Sequence, residues 1–240
     1  MKSNFLFSFL IAAMFLSGCA EKYDSPKTGD LVFVGYPAGT LSGSGSMAEA
    51  ISSSTGKGKL EFVHTAILEV TDSGDFVIDA TIKYGVDRHP LDTLIRQFML
   101  KDGTMPTLVY MRLKDDPTPE KYVENSKAFI GEGYDLYFLP DNGLHYCTEL
   151  VYDAYIKDGE HLFSCSPMNF KDAEGNMPQY WTNLFDSLGQ KVPQDVDGTN
   201  PESMSESPAL VRVKASRASH YWLAQGSSRQ EQGKEYPKRH

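Results

Sequence analysis

The sequence predicts a single domain of mixed α and β structure, on two observations. Phe62 to Val70 and Phe76 to Ala80 are β-rich runs separated by Thr71-Asp72-Ser73-Gly74-Asp75, a hairpin-turn composition that makes the two strands antiparallel. Further on, Leu150, Val151, Ala154 and Tyr155 recur at helical spacing behind Cys147, which marks a helix with one apolar face and a cysteine in its first turn. Once the N-terminal leader is set aside, roughly 220 residues remain, enough for one substantial core and too few for two full domains.

The elements follow in order. Lys2 precedes an apolar run from Phe5 to Leu16 that ends in Leu16-Ser17-Gly18-Cys19, the pattern of a cleavable export signal. The run falls short of the about 20 residues of a membrane span. The small-residue pair before Cys19 resembles the lipobox of bacterial lipoproteins, which implies that residues 1–18 are removed and that Cys19 is lipidated; an ordinary secretory peptide cut nearby is the alternative. Residues 19–28 read as a polar tether, and Gly29-Asp30-Leu31-Val32-Phe33-Val34-Gly35 as a strand entered through a tight turn. Residues 39–59, rich in Gly and Ser, read as a mobile loop with room for a short helix around Met47 to Ile51, a plain linker or, as the alternative, a flap over a cleft.

After the hairpin, Leu91, Leu94, Ile95 and Phe98 suggest a helix behind Pro90, and Leu108 to Leu113 resumes strand character. Tyr122, Val123, Phe129 and Ile130 suggest another helix, started by Thr118-Pro119-Glu120. Residues 164–207 carry many turn formers around one helix near Tyr180 to Phe185, Pro208 to Val213 reads as a late strand, and the stretch 224–240 is a polar tail. One catalytic domain is therefore expected over 29–223.

A net charge of −9 and a pI near 5.1 exclude a nucleic-acid partner, which needs a basic footprint, and adhesion to anionic lipid by charge. If Cys19 is acylated, only Cys147 and Cys165 remain, and in an exported protein they can join in a disulfide. The rival reading makes Cys147 chemically active. A thiolate is the effective form of a cysteine nucleophile, and the start of a helix together with a nearby imidazole favours that form. His64, inside the apolar run Val63-His64-Thr65-Ala66-Ile67, is the candidate imidazole.

These segments, together with Val77-Ile78-Asp79-Ala80, Gly133-Tyr134-Asp135 and Tyr146-Cys147-Thr148-Glu149-Leu150-Val151, resemble the circularly permuted NlpC-type papain-like hydrolases of the YiiX/YebB-like branch. Val192-Pro193, Gly198, Pro201 and Ser207-Pro208 extend the resemblance over nearly the whole mature chain. It implies an α+β fold, with an antiparallel sheet packed against the helix that carries the cysteine at its N-terminus. The histidine precedes the cysteine here, as in the permuted branch; a catalytic constellation is spatial, so the order leaves the chemistry unaffected.

The chemistry implied is acyl transfer with Cys147 as nucleophile and His64 as base and then acid. An acceptor has to orient the second imidazole nitrogen, and Asp79 fits best, as a carboxylate in an apolar run on the strand hairpinned to that of His64. Relatives often carry glutamate, asparagine or histidine there, so the match is one of place. Glu69 lies an odd number of residues from His64 and points to the opposite sheet face, and Asp75 belongs to the turn. The Cys147 N–H is a natural oxyanion donor, and Tyr134 stands where related enzymes place an assisting tyrosine.

His161 and Cys165 are too few ligands for zinc, so no metal and no cofactor is expected. His145 reads as a solvated loop histidine with substrate contact as the alternative. The expected activity is that of an envelope-anchored cysteine hydrolase cleaving an amide bond in peptidoglycan-derived or other short peptides, tethered to the membrane through Cys19. Relatives with the same core include acyltransferases and thioesterases of the lecithin retinol acyltransferase group, so an ester or lipid substrate stays open. So do a non-enzymatic binding module and a disulfide-braced structural protein.

Overall fold

The computed structural model describes residues 25–214. The expected signal segment 1–18, Cys19, most of the tether and the polar tail 224–240 lie outside the described residues.

The chain enters through β1 (Leu31–Pro37), which is buried along almost its whole length. A strand covered on both faces can read as continuous apolar sequence, and Leu31-Val32-Phe33-Val34 does. Within the loop expected over 39–59, the short helix around Met47 to Ile51 forms and runs on as α1 (Met47–Thr55), capped by Ser46, whose hydroxyl accepts from the Glu49 N–H at 3.1 Å. Gly and Ser composition hid its full extent, because the capping residue and the buried Ala50 are themselves small.

The expected hairpin is β2 (Leu60–Thr71) and β3 (Gly74–Thr81), antiparallel with Asp72-Ser73 at its tip. A further hairpin leads into β4 (Gly85–Pro90), a strand the sequence did not announce because Asp87, Arg88 and His89 give it little β character. Gly85 opens it with φ +65°, and a Cβ there would stand 2.1 Å from the Glu132 carbonyl oxygen, so only glycine fits. Pro90 ends the strand and begins α2 (Leu91–Gln97). Then come β5 (Thr107–Leu113), α3 (Glu120–Lys127) and α4 (Cys147–Ala154). Two small antiparallel pairs follow: β6 (Ile156–Lys157) with β7 (Glu160–His161), and β8 (Ser166–Pro167) with a partner beyond α5 (Gln179–Leu188), namely β9 (Asp197–Gly198). The short α6 (Pro201–Ser205) and β10 (Leu210–Arg212) complete the described chain.

Six strands form one antiparallel sheet in the order β10-β5-β1-β2-β3-β4. Strand alternation sorts its side chains into two cores. Leu31, Phe33, Ile67 and Ile78 pack against Leu150, Val151 and Tyr155 of the α4 region, while Val32, Val34, Leu68 and Val77 pack with Leu94 of α2. Fully burying a side chain such as Leu150 stabilises the fold by roughly 1.5–3 kcal/mol, which anchors α4 on the sheet. Mixed α and β structure around an antiparallel sheet is thus what the chain adopts.

Asp30, at the mouth of β1, is completely buried and clamped by Arg112 of β5, whose Nε and Nη2 donate to its two oxygens at 2.6 and 2.8 Å. Burial pushes the Asp30 carboxyl up from its ordinary value while the Arg112 guanidinium pulls against that. Removing one partner of such a pair leaves an uncompensated buried charge. Asp30→Asn is expected to destabilise the protein by roughly 3–5 kcal/mol, read as a lowered guanidinium chloride midpoint.

Candidate functional site

Three neighbouring strands and one helix converge on a buried polar cluster. His64 of β2 donates through Nε2 to Asp79 Oδ2 at 2.7 Å, with the Asp79 side chain fully buried and His64 nearly so. The Phe98 ring lies against the imidazole, 4.6 Å between centroids, and the Tyr36 hydroxyl donates to the Phe98 carbonyl to fix that wall. With Nε2 committed to Asp79, Nδ1 is the ring nitrogen left for Cys147, whose charge acts on the imidazole. Burial works to lower the His64 pKa, but the negative charge of Cys147 and the hydrogen bonds to Asp79 and Cys147 outweigh it and push the imidazole up to about 10. Asp79 is held below the ordinary carboxylate range: burial opposes ionisation, and the bonds to His64 and His89 overcome it.

Cys147 is the first residue of α4, buried at the end of the helix where unpaired N–H groups concentrate positive potential. Several contacts fix that end. The Tyr146 hydroxyl accepts from the Thr199 N–H at 3.0 Å, next to Gly198, where a Cβ would sit 2.8 Å from that same hydroxyl oxygen. Glu149 Oε2 accepts from the Tyr146 N–H at 3.3 Å, one half of a capping box. Asp135, wholly buried, accepts from the N–H groups of Tyr137 and Leu139 at 2.8 and 2.9 Å and so shapes the loop that presents Tyr134.

Tyr134 lines both clefts that meet at the site and feels the charge of Cys147. Burial, followed by that charge, raises its pKa well above the ordinary value, so its hydroxyl stays a donor. The cleft beside Cys147 is narrow, about 50 Å³, and walled by Phe138, Met168, Phe170 and Trp181. The cleft beside His64 holds about 440 Å³ among Met47, Val63, Ile82, Tyr84 and Phe98, with Lys83 the one charged side chain besides His64 in its lining.

The structure therefore brings Cys147, His64, Asp79 and Tyr134 together. Glu69 is engaged elsewhere, in ion pairs with Arg88 and Lys127, and Asp75 sits in the ladder at the hairpin tip. Cys147 and Cys165 are free thiols, the first buried and the second exposed, so the disulfide alternative is not what the structure holds. His161 stacks on Tyr152 with rings 3.8 Å apart. His145 is a correction: instead of standing in solvent it is buried, with Nδ1 2.8 Å from Glu132 and Nε2 3.2 Å from Asp153, and it pins the Tyr134 loop through a parallel bridge. Sequence reasoning missed His89, which donates to the other oxygen of Asp79; the alternation Asp87, His89 on one strand face was its only trace.

Comparison with known proteins finds a family model, a curated relative and solved structures. The model of the family described as "Permuted papain-like amidase enzyme, YaeF/YiiX, C92 family" matches residues 25–214. The uncharacterized protein YiiX of Escherichia coli strain K12 is 24% identical over 193 residues, which cover 78% of this chain and 86% of YiiX. The crystal structure of YiiX from Escherichia coli O157:H7, described as a metalloprotein, superposes with a TM-score of 0.60 at 22% identity, covering 80% of this chain and 98% of that one. At that identity the likeness is one of fold.

Glu149 supplies a pH test of how the cysteine end of α4 is held. Burial and then the Asp135 charge raise its pKa from 4.5 to about 8. A raised carboxyl contributes stability that is fully present below about 4.5 and is lost as pH rises through about 8. Wild type is expected to lose melting temperature across that window relative to Glu149→Gln, which keeps the cap and removes the charge, so that the variant is the more stable of the two at pH 9.

Proposed function

Since the chain belongs to the C92 family of permuted papain-like amidases, we propose that it is a cysteine hydrolase that cleaves an amide bond by acyl transfer through Cys147, His64 and Asp79. The observation that carries this reading is the line of interacting groups that runs from Cys147, whose charge acts on the His64 imidazole, through His64 Nε2 to the buried Asp79 carboxylate. No structural need calls for that line in an apolar sheet.

The steps follow from the geometry. Cys147 gives its proton to His64 Nδ1, and the resulting thiolate attacks the carbonyl carbon to form a C–S bond. Negative charge collects on the carbonyl oxygen, for which the Cys147 N–H at the helix start and the Tyr134 hydroxyl are the donors. The C–N bond then breaks as His64 protonates the leaving amine, which gives a thioester. Water, deprotonated by His64, releases the acid and regenerates the thiol. Asp79 holds Nε2 and stabilises the imidazolium throughout.

In this reading the protein is an NlpC-type hydrolase of the cell envelope, exported by residues 1–18 and tethered to the membrane through lipid on Cys19. Its substrates are peptidoglycan-derived or other short peptides. The lining of the clefts favours a second reading, an acyltransferase or thioesterase acting on an ester or lipid substrate. Aromatic and aliphatic walls on both sides of the Cys147–His64 pair suit an acyl chain better than the carboxylates of a cell-wall peptide.

Brief treatment with iodoacetamide near neutral pH is expected to place one rapid adduct on Cys147, absent in Cys147→Ala and slowed by about 10²-fold or more in His64→Ala. Amide turnover is expected to fall as pH rises through about 10, where the His64 imidazolium that protonates the leaving group is lost. Peptidoglycan peptides assayed beside long-chain N-acyl amides and acyl esters separate the two readings. A wild-type Cys147 that resists alkylation refutes the hydrolase altogether.

A further inference from the structure

His89 is the one member of the buried cluster without a part in the steps above. It lies on β4, the strand beyond Asp79, and like Asp79 and His64 it is nearly withdrawn from solvent. Its Nε2 is 2.9 Å from Asp79 Oδ1, and its Nδ1 is 3.2 Å from the Pro90 carbonyl oxygen. Neither an ionised carboxylate nor a carbonyl can donate. Both ring nitrogens must therefore carry protons for both bonds to exist, which makes His89 an imidazolium.

Counting charge along the line gives the role of this cation. A reactive thiolate at Cys147 and an ionised Asp79 are two buried anions, and His64 supplies one positive charge between them. Without a second cation the cluster carries a net buried negative charge, which low-polarity surroundings penalise, and the cheapest relief is to return a proton to Cys147 or Asp79. With His89 protonated the signs alternate, negative at Cys147, positive at His64, negative at Asp79 and positive at His89, and the sum is zero. Asp87, on the same strand, adds a further negative charge that favours the protonated imidazole.

Resting on the thiol-hydrolase reading, we propose that His89 is a positioning residue, an imidazolium that saturates the far oxygen of Asp79 and completes the charge balance that lets His64 pair with a Cys147 thiolate. It is not among the residues that line either cleft, and its bond to Asp79 is the route by which it acts on His64.

The test follows the rate of Cys147 alkylation by iodoacetamide against pH in the full chain, with adducts located by mass, for wild type, His89→Leu and His89→Gln. The Leu variant loses both the bond and the charge, and Gln keeps a donor for Asp79 without the charge. The pH midpoint of alkylation is expected to rise by about one unit in the Leu variant, about a tenfold loss of rate below the wild-type midpoint, with Gln in between. Variants that fold and react along the wild-type profile, whatever their melting temperatures, overturn the proposal and leave the hydrolase reading standing. Should the Leu variant fail to fold, Gln decides alone, an upward shift supporting the proposal and an unshifted profile overturning it. A wild-type Cys147 that reacts no faster than the exposed Cys165 overturns both readings.

Discussion

A carboxylate withdrawn from water has to be neutralised where it stands, and Asp79 is withdrawn completely. Leaving a single such charge unpaired inside a protein costs several kcal/mol, enough to consume a large part of the stability of a domain. Two imidazoles on the flanking strands meet this demand, one at each oxygen. The requirement reaches well beyond the cluster: it fixes the registers of β2, β3 and β4, because a slip of one residue on any of them turns its polar side chain to the other sheet face and strands the remaining charges. The hairpin geometry and the site geometry are one constraint.

The thiol comes to that cluster from outside the sheet, and the fold gives its helix many fasteners for its length. Leu150 and Val151 bury one face of α4 on the sheet, the Tyr146 hydroxyl is held by the Thr199 N–H, and Asp135 and His145 order the loop that leads in. Each fastener comes from a different part of the sequence. Burial of Glu149 in this crowd keeps its carboxyl protonated up to about pH 8, so the cap it makes adds no negative charge beside the thiol at neutral pH. The two apolar clefts then meet at Tyr134, with Cys147 opening on one and His64 on the other.

Much of this was legible in the residues. Strong β character with a turn between announced β2 and β3, and helical spacing behind Cys147 announced α4, because both patterns are local. His64 and Asp79 stood out for the same reason, as polar residues in apolar runs. The strand β4 did not, since its β structure comes from pairing with β3 rather than from its own composition, and with it the second partner of Asp79 was hidden. Helix α1 showed only as a short stretch around Met47 to Ile51, because its small residues looked like a linker, and the ion pair of Asp30 with Arg112 was hidden by a separation of 82 residues.

The sequence by itself determined the mixed α and β class, the antiparallel hairpin at its centre and the helix that opens with Cys147, because each is written in a local period, and it marked His64 and Asp79 as polar residues set against apolar runs, while the family resemblance proposed them as a set with Cys147. Only the tertiary structure decided that these three meet, that His145 is buried and paired rather than solvated, that the thiols are free, and that Asp79 answers to two histidines. Distances between side chains far apart in the chain, and the burial that sets their charges, arise only when the strands are laid in register and the helix is packed upon them.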